Sequence, residues 1–484
     1  MTHDATNILW TDTAIFQNRY EKSASALVAV KQALERNRPL GGGEQEFLDL
    51  YQIVADGHPD HFTSVWRDPT AYFWVRMAYQ LLGTCLTDAP LQPLAQAYCG
   101  ALGTLEPREA LAHHLADFKR FVLALHVLSG GDSVFTPPFH VSLPFAVPGT
   151  RLSLSGTGSA LIHSVASGHL EVSYAGRTGR IPLTPRPSSR PDTLTVHECP
   201  VTRYRGYELP LHPHAFNLPG LDFISPVLDA GLAYQNEHVN LVAETLALIE
   251  RYQPAAYAQF REVMRFIALK PQRTGNYTNI SHSDLPGAFI CGVVHEPLEL
   301  GDTLLHEFHH NRLFFIEEIG PFFVDPEDNL QTTGAYYSPW RSDLRPLHGI
   351  FHALYVYLPV CRFWLEAYRG GEVTGRRLDY VRDRVVRIPL QLAIAVQQLA
   401  RYARFTEFGT TLFEQMRKDV AEIRDAIIAS SVPLDVPAVI CSEDGTLTNQ
   451  VGKSNGRSLS AREAVLEHIR NYDLHKQCHG LPSD

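Results

Sequence analysis

The sequence predicts an α+β protein that is mainly helical. It has a helical N-terminal region, a β-rich middle segment and a helical metal-binding C-terminal half with a small sheet next to its central helix. Three observations predict this. Stretches with apolar residues at three- and four-residue spacing occupy both ends of the chain. The middle is rich in Pro, Gly, Ser and Thr, with short alternating runs. The stretch LLHEFHHNRL, Leu304 to Leu313, sets an HExxH motif into one of the helical regions.

Residues 1–135 read as helical, for example Tyr20–Asn37 and Arg108–Leu128. His113, His114 and His126 fall in these helices, where surface or satisfied core histidines are expected. After Gly130-Gly131 the character changes. Residues 136–230 form the β-rich segment, with alternating runs at Arg151–Ser155 and His169–Gly176. The fragment GTGSAL from Gly156 lacks the third glycine of a dinucleotide loop and is discounted. Residues 231–430 read as the HExxH metal-binding catalytic domain. Helical signal returns at about Ala230–Leu269, and Ala288–Val294 is a strand running straight into the HExxH helix. Such a strand is either a sheet edge on which an extended peptide pairs or an ordinary internal strand. The HExxH helix is expected from about Leu298 to Ile319. Pro297 suits its first turn, Glu296 and Glu299 suit its positive end, and Gly320-Pro321 stops it. A further helix spans about Leu347–Arg369. Another covers Arg376 to Ala429, broken near Pro389 and Gly409. The tail, 431–484, is polar until Ser460, where a capping box with Glu463 opens a short helix.

At 484 residues the chain is too long for one ordinary core. The net charge of −10 disfavours nucleic acid as a partner. Seven cysteines without a CxxC pair speak against a disulfide framework, a zinc ribbon or an iron–sulfur cluster. No signal peptide and no membrane span are visible, so a cytoplasmic protein is expected.

Residues i and i+4 share one helix face, so His306 and His310 can grip one ion with Glu307 beside them. Zinc and iron both accept such ligands. The longer HExxHxxGxxH pattern is excluded, because Leu313 and Ile316 stand at its Gly and third His positions. Glu317 and Glu318 lie two turns further along and read as a solvated acidic end. His352, on an otherwise apolar helix, is the candidate third ligand, and His348 is the reserve. His309 points about 100 degrees away from His310 and is not assigned to the metal. Arg341 and Arg345, just before the His352 helix, suit an anionic co-substrate or a structural pairing with Asp343 or Glu327. Trp340, Tyr336 and Tyr337 are pocket walls or core.

Taken together, LLHEFHHNRL, YYSPWRSDLRPL and GIFHALY resemble the 2-oxoglutarate-dependent HExxH-type peptide β-hydroxylases of ribosomal peptide natural-product clusters. The resemblance covers roughly Ala230 to Glu366. It implies an iron(II) oxygenase that hydroxylates the β-carbon of a residue in a ribosomally made precursor peptide, converting 2-oxoglutarate to succinate. It implies His306, His310 and His352 as iron ligands and Arg341, or else Arg345, on the 2-oxoglutarate carboxylate. Ser281–Ala288 would line the site. Glu307 would be a base, a ligand or a group behind the ligands. The main alternative is a zinc metallopeptidase with Glu307 as general base. A second alternative is a precursor-peptide binding partner without catalysis.

Overall fold

The computed structural model describes residues 9–10, 14–37, 43–57, 59–104, 106–143, 145–156, 158–183, 194–212, 232–270, 279–329, 336–341, 343–442, 444–452 and 456–478. The fold is mainly helical α+β, as the sequence predicts. It begins with helices α1 (Ala14–Arg36), α2 (Glu44–Ala55), α3 (Pro59–Trp66), α4 (Pro69–Thr87), α5 (Pro93–Leu102), α6 (Pro107–Ala116) and α7 (Lys119–Ser129). Proline opens four of them, where its missing N–H is harmless. His114 is a satisfied core histidine. Its Nδ1 meets the Tyr98 hydroxyl at 3.0 Å and its Nε2 meets the Trp74 carbonyl at 2.8 Å.

Short strands follow: β1 (Ser133–Ser142), β2 (Phe145–Ala146), β3 (Leu152–Ser155), β4 (Ser159–Ala166), β5 (His169–Tyr174), β6 (Arg177–Pro182), β7 (Thr195–Glu198), β8 (Val201–Tyr204) and β9 (Tyr207–His212). They form an antiparallel sheet in the order β1-β4-β5-β6 and a smaller one, β2-β3-β7. The inward residues Val141, Ile162, Leu170 and Val172 join the N-terminal helices in one core. The end of the expected β-rich segment, 213–230, lies outside the described residues.

The second half comprises α8 (Leu232–Tyr252), α9 (Pro254–Val263), β10 (Phe266–Lys270), β11 (Ile280–Ser281), β12 (Ala288–Gly292), α10 (Pro297–Glu317), α11 (Leu347–Arg369), α12 (Gly375–Tyr402), α13 (Glu407–Ala429), β13 (Val439–Cys441), β14 (Leu447–Asn449) and α14 (Ala461–Cys478). A mixed sheet in the order β11-β12-β10-β9-β8 delivers the chain into α10. The strand before the HExxH helix is internal: β12 pairs with β10 on one side and β11 on the other.

Three local expectations are corrected. Phe266–Lys270, read as helix, is a parallel strand between β9 and β12. A short buried apolar run has no periodicity to tell the two apart. Pro389 does not break its helix. It sits inside α12, where packing along α11 outweighs one lost hydrogen bond. The break comes at 403–406 instead, and Thr406 then caps α13 through the Gly409 N–H at 2.9 Å. The tail capping box forms as expected, with the Ser460 N–H bonded to Glu463 at 2.9 Å. Cys85, Cys99, Cys199, Cys291, Cys361 and Cys441 are buried, and no helix among the described residues is long and apolar enough to cross a membrane.

Candidate metal centre

Helix α10 starts at Pro297, with the Glu296 carboxylate accepting the Glu299 N–H at 2.9 Å. It is buried on nearly every side, among α8, α11 and the mixed sheet. Helix α11 runs antiparallel beside it. His306 lies opposite Tyr357, His310 opposite His352, and Glu317 opposite His348 and His352. At Gly301 the two helices approach so closely that a Cβ would lie 2.8 Å from the Phe363 ring.

Five donor side chains therefore line one seam between α10 and α11. His310 Nε2 is 3.1 Å from His306 Nε2, and His310 Nδ1 is 3.3 Å from His352 Nδ1. The three histidines assigned from sequence thus fall in one row, with His310 facing its two neighbours through different nitrogens. His352 Nε2 contacts Glu317 Oε1 at 2.8 Å, and His348 Nε2 contacts the same oxygen. Donor atoms of Glu317, His348 and His352 all lie within 4.8 Å of one another, a group able to hold a metal ion. Glu317 is thus no solvated end. Its neighbour Glu318 is also engaged, with the Tyr72 hydroxyl at 2.9 Å and Arg19 at 3.0 Å.

Burial sets the electrostatics of the seam. It lowers His306 to about 4 and holds His310 and His352 below the usual histidine range. Neutral imidazoles are the form that ligates metal. Burial opposes the Glu317 charge, but His352 and His348 outweigh it, so this carboxyl stays ionised. His348 Nδ1 is buried without a hydrogen-bond partner. Donor types, protonation and the incompletely satisfied ring all fit a divalent transition ion.

No protein-family model matches the chain, and no curated protein matches it either. The site therefore stands on its own geometry.

Glu307 points elsewhere. Burial pushes its carboxyl up to about 7, while the Ser281 hydroxyl, 2.6 Å away, favours the ionised form. Asn311, one turn on, donates to Ser281 at 3.1 Å and accepts the Gly287 N–H at 2.9 Å. The stretch Ser281–Ala288 is thereby fastened to the motif helix. Gly287 has φ +85° and its missing Cβ would meet the Val263 carbonyl at 2.7 Å, so only glycine fits. His309 faces away from the seam, as expected, with Nδ1 on the Leu305 carbonyl at 2.7 Å.

The loop before α11 closes the His306 end. Trp340 stacks on Tyr357 at 4.8 Å, and Tyr357 lies edge-on to His306 at 4.9 Å. The loop is pinned by Gln391 on the Pro339 carbonyl and His468 on the Ser338 carbonyl, at 2.8 and 3.0 Å. Arg341 is exposed and paired with Asp343 at 2.7 Å. Arg345 is half-buried, 3.7 Å from Asp343, and near enough to bear electrostatically on His352. Sequence reasoning missed Glu317 and Asn311. For Glu317 a signal existed, a carboxylate seven residues after His310 and so on a neighbouring helix face.

Proposed function

We propose that the chain is an iron(II)- and 2-oxoglutarate-dependent oxygenase that hydroxylates the β-carbon of a residue in a ribosomally made peptide. The observation that carries this reading is the donor group in the α10–α11 seam. Two histidines and one carboxylate, Glu317 with His348 and His352, are the composition of non-haem iron oxygenase sites with open positions. His352 also neighbours the HExxH pair, so it belongs to either choice of ligands. Bound iron would activate oxygen against the 2-oxoacid.

The chain's own residues have definable tasks in this reading. The buried, neutral His352 imidazole binds the ion without first releasing a proton. Arg345 supports carboxylate binding better than Arg341, because it is half-buried and close to α11. The Trp340–Tyr357 stack forms a wall at the His306 end. Ser281 and Asn311 fix Glu307.

One observation favours a second reading. A carboxyl raised to about 7 next to two histidines suits a general base, as in a zinc peptidase. Anaerobic reconstitution with iron(II) and 2-oxoglutarate separates the two. The oxygenase gives a weak visible charge-transfer band and then succinate on admitting oxygen, both lost in His352→Ala. No band, with zinc-dependent hydrolysis of unstructured peptides abolished by Glu307→Gln, would sink the oxygenase reading.

A further inference from the structure

The seam offers an ion two positions. One is the HExxH pair, His306 and His310 through their Nε2 atoms. The other is Glu317 with the Nε2 atoms of His348 and His352. We propose that Glu317, His348 and His352 are the ion site, taking one divalent transition ion, and that its occupation excludes an ion chelated by His306 and His310. The inference deepens the metal-dependent reading above and rests on it.

Charge selects the position. Glu317 brings a carboxylate to a dication, and its donor group is drawn together from both helices, with the three donor atoms within 4.8 Å of one another. The HExxH end offers two neutral rings. Glu307 is turned to Ser281 there, away from the two rings.

The exclusion follows from where each ring keeps its proton. A neutral imidazole carries one N–H. An ion on Nε2 of His352 leaves that proton on Nδ1, which faces His310 Nδ1 at 3.3 Å. His310 must then accept on Nδ1 and carry its own proton on Nε2. That is the atom 3.1 Å from His306 Nε2, and it must be bare to chelate. An ion at the carboxylate end therefore disarms the motif end through one hydrogen bond. The carboxylate behind the ring helps, since a partner on one imidazole nitrogen fixes what the other can do.

The test is cobalt(II) titration of the chelator-stripped full-length chain, with bound metal counted after dialysis and the visible ligand-field band recorded. Wild type should bind one equivalent. Glu317→Gln and His348→Asn should each weaken binding about tenfold or more and alter the band. His306→Ala should keep the wild-type affinity and band. Matching thermal melts show that the variants fold, and His348→Ala repeats the test with a different truncation. Two equivalents in wild type would overturn the exclusion. Loss of metal in His306→Ala with none in His348→Asn would place the ion at the motif instead. The expected cobalt pattern without any 2-oxoglutarate turnover keeps this assignment and removes the oxygenase reading.

Discussion

The hydroxyl of Ser281, on the edge strand β11, lies 2.6 Å from the Glu307 carboxylate on α10. A residue 26 positions upstream thus holds the acidic member of the HExxH motif. Removing a hydrogen bond to a charged acceptor costs about 1.5–3 kcal/mol. Ser281→Ala should therefore raise the Glu307 pKa further, by roughly one to two units. Carboxyl carbon NMR of the metal-free protein, with Glu307→Gln to assign the signal, reads this directly. An unchanged or lowered pKa would show that the hydroxyl does not favour the ionised form.

The neighbouring histidines should separate cleanly. His352→Ala should weaken cobalt(II) by roughly 100-fold or more, because a ligand and its link to Glu317 are both lost. His309→Ala should leave cobalt affinity nearly unchanged. It should cost about 1–2 kcal/mol of stability instead, since His309 is buried against Phe308 and Tyr355 and bonded to the Leu305 carbonyl. Dialysis and chemical denaturation of both variants check the contrast.

Acid should act through His114 on α6 as well as through the seam histidines. Burial lowers His114 to about 3, with the Trp74 carbonyl only partly offsetting that. The unfolded chain binds this proton near pH 6.5 and the folded chain does not. The stabilisation is therefore present above pH 6.5 and lost as pH falls from there toward 3, on the order of 4 kcal/mol in total. Urea unfolding of the metal-free chain across this range should show the slope. His114→Gln should be less stable at pH 7 and flatter below it.

Gly301 on α10 packs against the Phe363 ring of α11 with no room for a Cβ. Gly301→Ala must displace the Phe363 ring, costing about 1–3 kcal/mol. Phe363→Leu in the same chain should restore part of that loss. Equilibrium denaturation of the single and double variants decides it, and additive losses would mean that the two residues do not meet.

Much of this was readable from local pattern. The bounds of α11, Leu347 to Arg369, follow from apolar periodicity and the Gly370-Gly371 stop. The Ser460–Glu463 capping box is a four-residue signature. The placing of His309 away from His310 needs only helix geometry. What the sequence hides is which helix faces which. Glu317 reads as a surface acid until α11 is laid antiparallel against α10, which brings His348 and His352 to it from 31 and 35 residues away. Phe266–Lys270 is hidden for the same reason, since its strand identity comes from β9 and β12.

Leu9 and Trp10 are built into this half of the fold. Arg312, fully buried on α10, donates to the Leu9 carbonyl at 2.8 Å, and the Tyr355 hydroxyl of α11 donates to the same oxygen at 2.8 Å. Trp10 stacks on Tyr355 at 5.0 Å and reaches Asp419 on α13 at 2.8 Å. Leu9 leaves the ribosome 303 residues ahead of Arg312. The opening segment must wait through synthesis of the whole helical and β-rich portion before its socket exists. Completion of the metal-binding half is therefore a late event in biosynthesis, and that half has no complete core when severed from its own beginning.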